Sequence, residues 1–302
     1  MKRFAISLTL ILASFAATAQ TDKYKQRYEL LVSQFGYAGV GVETALDNWE
    51  QADSADSDML LAKFRFWLEK SATVAVEARP GQKKYLGNEP VLTLKDSLGA
   101  DVNYFQVTHY DDELYAKAMK FIDKAQQYHP EKLEHRFVKA NAYIAYEKES
   151  PDMALSYLIA LIVEFQNNKG EWTYDGDIIS DELFAEYIQE YCYTFFLLGT
   201  DSSREAFRML SERMLKYYPE NLDFVNNLGS YYLVKKDFKT AGKYYDKVLK
   251  KQPGNMVAIQ NSLRMAMVEK NHKKEKKFLN MMIKYGSDKD RMTAEARLNA
   301  MN

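Results

Sequence analysis

The feature that most constrains this chain is the 34-residue stretch 222–255. There Leu228-Gly229 is followed by Tyr232, then by Ala241, Tyr245, Val248 and Pro253. Apolar positions three and four apart on either side of a short break describe two amphipathic helices. Gly229 on the first and Ala241 on the second are small enough to let two antiparallel backbones approach closely. Tyr232 and Tyr245 supply the bulk that fills the space around that contact. Pro253 ends the second helix. A helix pair of this size cannot bury its apolar face alone, so the unit demands stacked neighbours of the same kind.

The neighbours are legible to differing degrees. Pro219 and Pro253 lie 34 residues apart, and Ala118, Ile122, Ala125 and Pro130 repeat the offsets of Ala241, Tyr245, Val248 and Pro253. Residues 133–146 and 151–165 form another pair, with Ala140 and Tyr143 on the first helix and Ala154 and Leu158 on the second. Residues 181–198 with 202–218 precede the opening unit, and 256–270 with 273–285 follow it. Ser287 or Asp288 caps a last helix reaching about Ala300. At the front, 23–35 and 40–49 make a degenerate pair, and Asp56 or Asp58 caps a helix over 59–68.

The spacing L-G-x2-Y…A-x3-F…P resembles the tetratricopeptide repeat (TPR) family, with Tyr245 in the aromatic slot and Val225 where the consensus has Trp. The resemblance implies an all-α fold, a TPR-like right-handed α-solenoid of about six antiparallel helix pairs closed by a C-terminal capping helix. It also implies that the concave groove, lined by the first helix of each pair, is the binding surface. By spacing from the glycine-aligned positions, that groove would present Asn141, Asn226, Ser230, Gln260 and Arg264. Some TPR proteins hold a peptide's terminal carboxylate with a Lys and Asn set in such positions. This chain has the Asn residues without the paired first-helix lysines, a departure that leaves a generic polar groove.

Two segments fall outside the repeat register. Residues 71–110 contain Pro80-Gly81, Gly87 and Pro90, with β-like runs at 91–95 and 102–107 around a turn at 96–101. They predict a β-hairpin inserted between the two helices of one repeat and lying on the flank of the helical array. Residues 166–180 hold Gly170, Trp172, Tyr174 and Gly176 and predict a long inter-repeat loop.

Lys2 and Arg3, an apolar run over 4–15 and Ala17-Thr18-Ala19 have the form of a cleavable signal peptide over 1–19, leaving 20–302 as the repeat domain. That apolar run is shorter than the roughly 20 residues a spanning helix needs, and no other run approaches it. No cysteine follows the cleavage point to carry a lipid. The expected location is periplasmic or secreted. The single cysteine, Cys192, excludes an intramolecular disulfide and reads as a small buried apolar side chain.

Catalytic chemistry finds little support. His109, His129, His135 and His272 read as surface or helix-end residues, and no nucleophile elbow, P-loop, dinucleotide fingerprint or zinc-binding His pair is present. Asp53, Asp56 and Asp58 lack the glycine and distal Glu of a calcium loop; Asp175, Asp177, Asp181 and Glu182 read as turn and helix-start acids. No catalytic residue, metal or cofactor is expected. Charge is unevenly spread: residues 235–284 carry fourteen Lys/Arg against four Asp/Glu, and 147–190 carry eleven Asp/Glu against two Lys, beneath a total of −1. The basic stretch lacks the aromatic interleaving of a nucleic-acid surface. The expected function is a non-catalytic scaffold that binds an extended segment of a protein or peptide partner in its groove. The alternative is an envelope glycan- or nutrient-binding protein using Trp172 and Tyr174.

Overall fold

The computed structural model describes residues 22–301; the signal peptide expected over 1–19 lies outside them. The described chain forms two compact units, one containing the residues up to Lys148 with Asn168–Ile179, the other Glu149–Asn167 with the residues from Ser180 onward. The expected pairing of 133–146 with 151–165 falls on the boundary between them.

The first unit holds helix α1 over residues 22–35, α2 (Val42–Ala52), α3 (Ser57–Ser71), α4 (Asp112–Tyr128) and α5 (Leu133–Glu147). Asp56 is the N-cap of α3, its carboxylate accepting the Met59 N–H. The fully buried side chains of Leu46, Trp49, Met59, Leu60 and Ile122 form the core. Lys63, 5% exposed, spans α3 to α2 through Asp47 at 2.8 Å and Glu50, which keeps a buried cation paired.

Helices α3 and α4 pack along their lengths as partners of one repeat, although the inserted segment separates them in sequence. That insertion holds three strands: β1 (Ala72–Pro80), β2 (Leu92–Lys95) and β3 (Asp101–Tyr110), in the order β1-β3-β2, all antiparallel. The expected hairpin is β2–β3; the partner strand β1 adds a third. Its sequence, Ala-Thr-Val-Ala-Val-Glu-Ala-Arg-Pro, mixes helix-favouring Ala and Glu with Val, so composition alone hid it. Strand β1 leaves α3 without an intervening residue, and β3 returns through Asp111. The Asp111 N–H donates to Ser71 O at 2.8 Å, so the insertion gives the chain back beside the point where it left. The sheet is expected to lie on the flank of the helical array, and at its end Tyr110 of β3 packs on Tyr115 and Tyr146. It carries its own small core, Phe105 and Val107 covered by Tyr85 and Leu86 from the β1–β2 connection.

The segment expected as a loop, 166–180, begins with the end of helix α6 (Asp152–Asn167) and then forms a hairpin with two-residue strands. Its strands are β4 (Thr173–Tyr174) and β5 (Asp177–Ile178). Asp175 and Gly176 both have positive φ (51° and 85°), the turn that an Asp-Gly pair favours. The Thr173 N–H donates to Glu131 O at 2.8 Å, tying this hairpin to the start of α5.

The second unit contains α6 (Asp152–Asn167), α7 (Asp181–Leu198), α8 (Asp201–Tyr217), α9 (Leu222–Val234), α10 (Phe238–Lys251), α11 (Met256–Val268), α12 (His272–Tyr285) and α13 (Asp288–Asn299). Each of α7–α13 packs on the next in order: three helix hairpins, α7/α8, α9/α10 and α11/α12, with α13 covering the end. Side-chain oxygens of Ser180, Thr200, Asn221, Asp237, Asn255, Asn271 and Ser287 cap the seven helix starts from α7 to α13, satisfying backbone N–H groups that have no intrahelical acceptor. Within α9/α10, Tyr245 is fully buried with its ring against Gly229. A Cβ at Gly229 would come within 2.6 Å of that ring. The repeat spacing thus has the steric meaning read from it. The fold is TPR-like: antiparallel helix hairpins with a small inserted sheet.

Candidate functional site

Helices α7, α9 and α11 are the first members of successive hairpins, and they line an open pocket of about 520 Å³. Its apolar wall is Phe196 from α7, Leu233 and Val234 from α9, Phe238 at the start of α10 and Val268 from α11. Its polar side is Ser230, Asn261, Arg264 and Lys236. Tyr245 rises beneath it from α10, its hydroxyl 3.2 Å from Ser230 Oγ, and the Asn261 amide donates to the same Oγ at 3.4 Å. Burial pushes the Tyr245 phenol up to about 12, opposed by its contacts with Ser230 and Asn261. It is therefore a neutral, buried hydrogen-bonding partner behind Ser230 at any physiological pH.

Arg264 and Lys236 are exposed cations at the mouth of this pocket. Lys236 sits just past the end of α9 with φ 61°. The N–H groups of Lys236 and Asp237 return to Leu233 O and Tyr232 O at 3.1 and 2.9 Å. This closes the helix with the paired backbone bonds usually made by glycine and directs the chain into α10. Lys270, 34 residues later, repeats the conformation with φ 53°. A second pocket of about 240 Å³ lies between α7 and the start of α9, with Glu186, Glu190 and Asp223 in its lining. One side of this unit therefore carries an acidic recess and a cationic, apolar one.

Of the groove residues read from sequence, Ser230 and Arg264 meet in the larger pocket. Three do not. Asn226 is 4% exposed and its amide donates to Asn255 Oδ1 at 3.1 Å, while that same oxygen caps α11 through the Ala258 N–H; Asn226 braces the next helix start. Gln260 is exposed and donates to Asp290 Oδ1 on α13 at 3.2 Å. Asn141 is exposed on α5, in the first unit. One-turn spacing from an aligned glycine fixes a helix face only to within a residue, and neighbouring positions on that face divide between groove and hairpin interior. Sequence reasoning missed Asn261 and Lys236. Asn261 follows the named Gln260, and the left-handed lysine had no sequence signal.

Trp172 is buried at 3% exposure, with the Arg136 guanidinium 5.5 Å from its ring; Tyr174 is half-buried, 6.1 Å from the Phe137 ring. Both seal the hairpin onto α5, and neither is a free aromatic tip. Cys192 is fully buried, its Sγ 3.5 Å from Ser211 Oγ, and burial pushes its thiol up to about 12.

Three histidines have the surface or helix-end placement expected, His109 and His272 exposed and His129 at the end of α4, and one differs. His135 is fully buried. Its Nε2 lies 3.0 Å from Ser57 Oγ, which also accepts from Lys132 Nζ at 3.0 Å, and its carbonyl accepts from the Gln126 amide at 3.1 Å. Burial first, then the charges of Lys132 and His129, push its imidazole down to about 4. At neutral pH the ring is uncharged, its Nε2 in hydrogen-bond contact with the Ser57 hydroxyl. Among the described residues no side chain pairs with its second nitrogen, and an imidazolium here would oppose Lys132. The pair is poorly arranged to carry a proton through a reaction. Among the described residues, no helix is long and apolar enough to cross a membrane.

Antiparallel helix hairpins beside a partly apolar recess define a helical-repeat fold. No protein-family model matches the chain, and no curated protein matches it significantly. Among solved structures it is similar to Pseudomonas aeruginosa PilF, at 10% identity and a TM-score of 0.38, covering 93% of this chain and 99% of that one. It is also similar to the flexible tandem repeat domain of a bacterial cellulose synthase. There the identity is 15% and the TM-score 0.28, covering 86% of this chain and 88% of that domain.

Proposed function

We propose that this protein is an exported, non-catalytic repeat scaffold that binds an extended segment of a protein partner in the pocket between α7, α9 and α11. The observation that carries the reading is the pocket's composition. An apolar wall of Phe196, Leu233, Val234, Phe238 and Val268 faces a rim of Ser230, Asn261, Arg264 and Lys236. Such a recess takes an apolar side chain in its depth and a carboxylate at its mouth. Because it is built on three packed helices, the site need not order itself before binding. Export rests on the basic start, apolar run and small-residue cleavage signal of residues 1–19.

The test compares partners co-purifying from envelope extract with wild type, Arg264→Glu and the double variant Arg264→Glu/Lys236→Glu. A partner retained by wild type and lost from both variants, with circular dichroism unchanged, supports the pocket. A partner retained equally by all three removes the pocket from the function. Turnover of a substrate by the purified protein would remove the scaffold reading itself.

A further inference from the structure

We propose that the solvent face of α10 and α12 is a lysine surface that docks the protein on anionic lipid headgroups. This inference is independent of the pocket between α7, α9 and α11. The two helices carry five lysines each, all of them exposed. Each helix has one acid: Glu275 is buried against Arg297, and only Asp246 is exposed. Three of the lysines recur at the repeat period. Lys239, Lys243 and Lys250 on α10 stand 34 residues before Lys273, Lys277 and Lys284 on α12.

Positions offset by four and by eleven residues fall within about 40° of each other on a helix, and each triplet spans about 16 Å of its length. Both triplets lie on the side away from the buried residues, which are Ala241, Tyr245 and Val248 on α10 and Phe278, Leu279 and Met282 on α12. The two helices border one recess of about 180 Å³, lined by Gly242 and Asp246 from α10 and Lys274 and Lys277 from α12. The two rows are therefore neighbours on one surface. Among the described residues no carboxylate pairs with any of the six ammonium groups. By contrast Lys251 pairs with Glu220, and Lys274 lies 3.8 Å from Glu269. One repeat earlier the equivalent positions on α8 are Glu205, Met209 and Lys216, and Glu205 accepts from Arg208 at 3.0 Å. The face turns from ion-paired to unbalanced at α10. Free acids of the same unit gather elsewhere, as Glu186, Glu190 and Asp223 do in the recess between α7 and α9.

Ammonium groups gathered in this way create a local positive potential that an anionic partner neutralises. The chemistry of the face selects which partner. Every Lys/Arg position on the two helices is lysine. Lysine presents a mobile, hydrated point charge, whereas the planar fork of arginine is what reads a single carboxylate or phosphate bidentately. Of the large apolar side chains on these helices only Tyr285, at the end of α12, is exposed. The face therefore lacks the aromatic anchors of a protein interface, from which lysine is itself depleted. It also lacks the row of rings on which a nucleic acid would stack its bases. A bilayer containing acidic lipids asks for neither. Many headgroup phosphates in no fixed register meet many flexible ammonium groups, at about fivefold in affinity for each lysine that reaches the surface. Nothing apolar inserts, so the binding is peripheral, reversible and weakened by salt.

Co-sedimentation of the purified protein with lipid vesicles tests this. Vesicles of phosphatidylcholine mixed with phosphatidylglycerol should retain it at low salt, vesicles of phosphatidylcholine alone should not, and added NaCl should release it. The triple variant Lys239→Glu/Lys273→Glu/Lys277→Glu should weaken retention about tenfold or more. Its first two changes place acids in the first turn of their helices, where the macrodipole favours them, and none of the three strands a partner, so circular dichroism should not change. The control Lys23→Glu/Lys83→Glu/Lys120→Glu makes the same change in net charge within the first unit and should bind as wild type does. Failure of wild type to bind the anionic vesicles overturns the proposal, as does equal retention by the neutral ones. Full retention of the α10/α12 variant overturns it, and so does equal loss from both triple variants. Retention on double-stranded DNA, or on immobilised polyglutamate standing in for an acidic protein, without retention by the anionic vesicles gives the face to another partner and overturns it as well. The salt and neutral-vesicle arms rest on wild type alone, so they stand even if a variant folds poorly.

Discussion

His135 makes the stability of the first unit depend on pH in a way that can be calculated and isolated. The side chain is fully buried, and its imidazole is pushed down to about 4 by burial and by Lys132 and His129. In the unfolded chain it would titrate near 6.5. Between those values the unfolded state holds a proton that the folded state does not, so stability rises with pH across this window. It is fully present above about pH 7 and falls as the pH drops toward 4. At about 1.36 kcal/mol per pH unit the whole loss is about 3 kcal/mol, of which about 2 is gone by pH 5. All three tryptophans, Trp49, Trp67 and Trp172, lie in the first unit, so tryptophan fluorescence during urea unfolding reports that unit alone. The comparison is wild type against His135→Gln, each at pH 7.5 and pH 5.0. The variant loses the contact with Ser57 and is less stable at pH 7.5. It should lose about 2 kcal/mol less than wild type on acidification, because the carboxylates contribute alike to both. Equal acid sensitivity of the two proteins would refute the argument.

Two further outcomes follow from packing. Gly229→Ala should destabilise the protein by about 1–3 kcal/mol, since the new methyl meets the buried Tyr245 ring. Gly242→Ala in α10, whose Cβ would find only Met265 Cε at 3.9 Å, should stabilise it by about 0.5–1 kcal/mol. Thermal unfolding by circular dichroism checks both, and a Gly229→Ala protein as stable as wild type would contradict the steric reading. The Cys192 thiol, pushed up to about 12 and fully buried, should resist maleimide at pH 8 in the native protein and react promptly once unfolded. Rapid native labelling would show the packing around it to be open.

What could be read from the sequence was whatever depends on local periodicity and single-residue chemistry. Leu228-Gly229, Ala241, Tyr245 and Pro253 located a helix hairpin, because the small residues and the aromatic that fills the gap are fixed by the contact itself. The caps at Asp56 and Ser287 were legible for a similar reason: a short polar side chain before an apolar run satisfies its own helix start. Asp175-Gly176 carried turn chemistry, although the hairpin around it did not show.

Tertiary structure decided the rest. Strand β1 exists because β3 pairs with it, and Ala and Glu in its sequence say nothing of that partner. His135 is buried because α3 brings Ser57 over it from 78 residues away, a distance no spacing rule spans. Asn226 and Ser230 lie one turn apart on α9, yet one braces the cap of α11 and the other enters the pocket. A helix face is set by the sequence, but which part of that face meets a neighbour and which meets solvent is set by how the next hairpin packs.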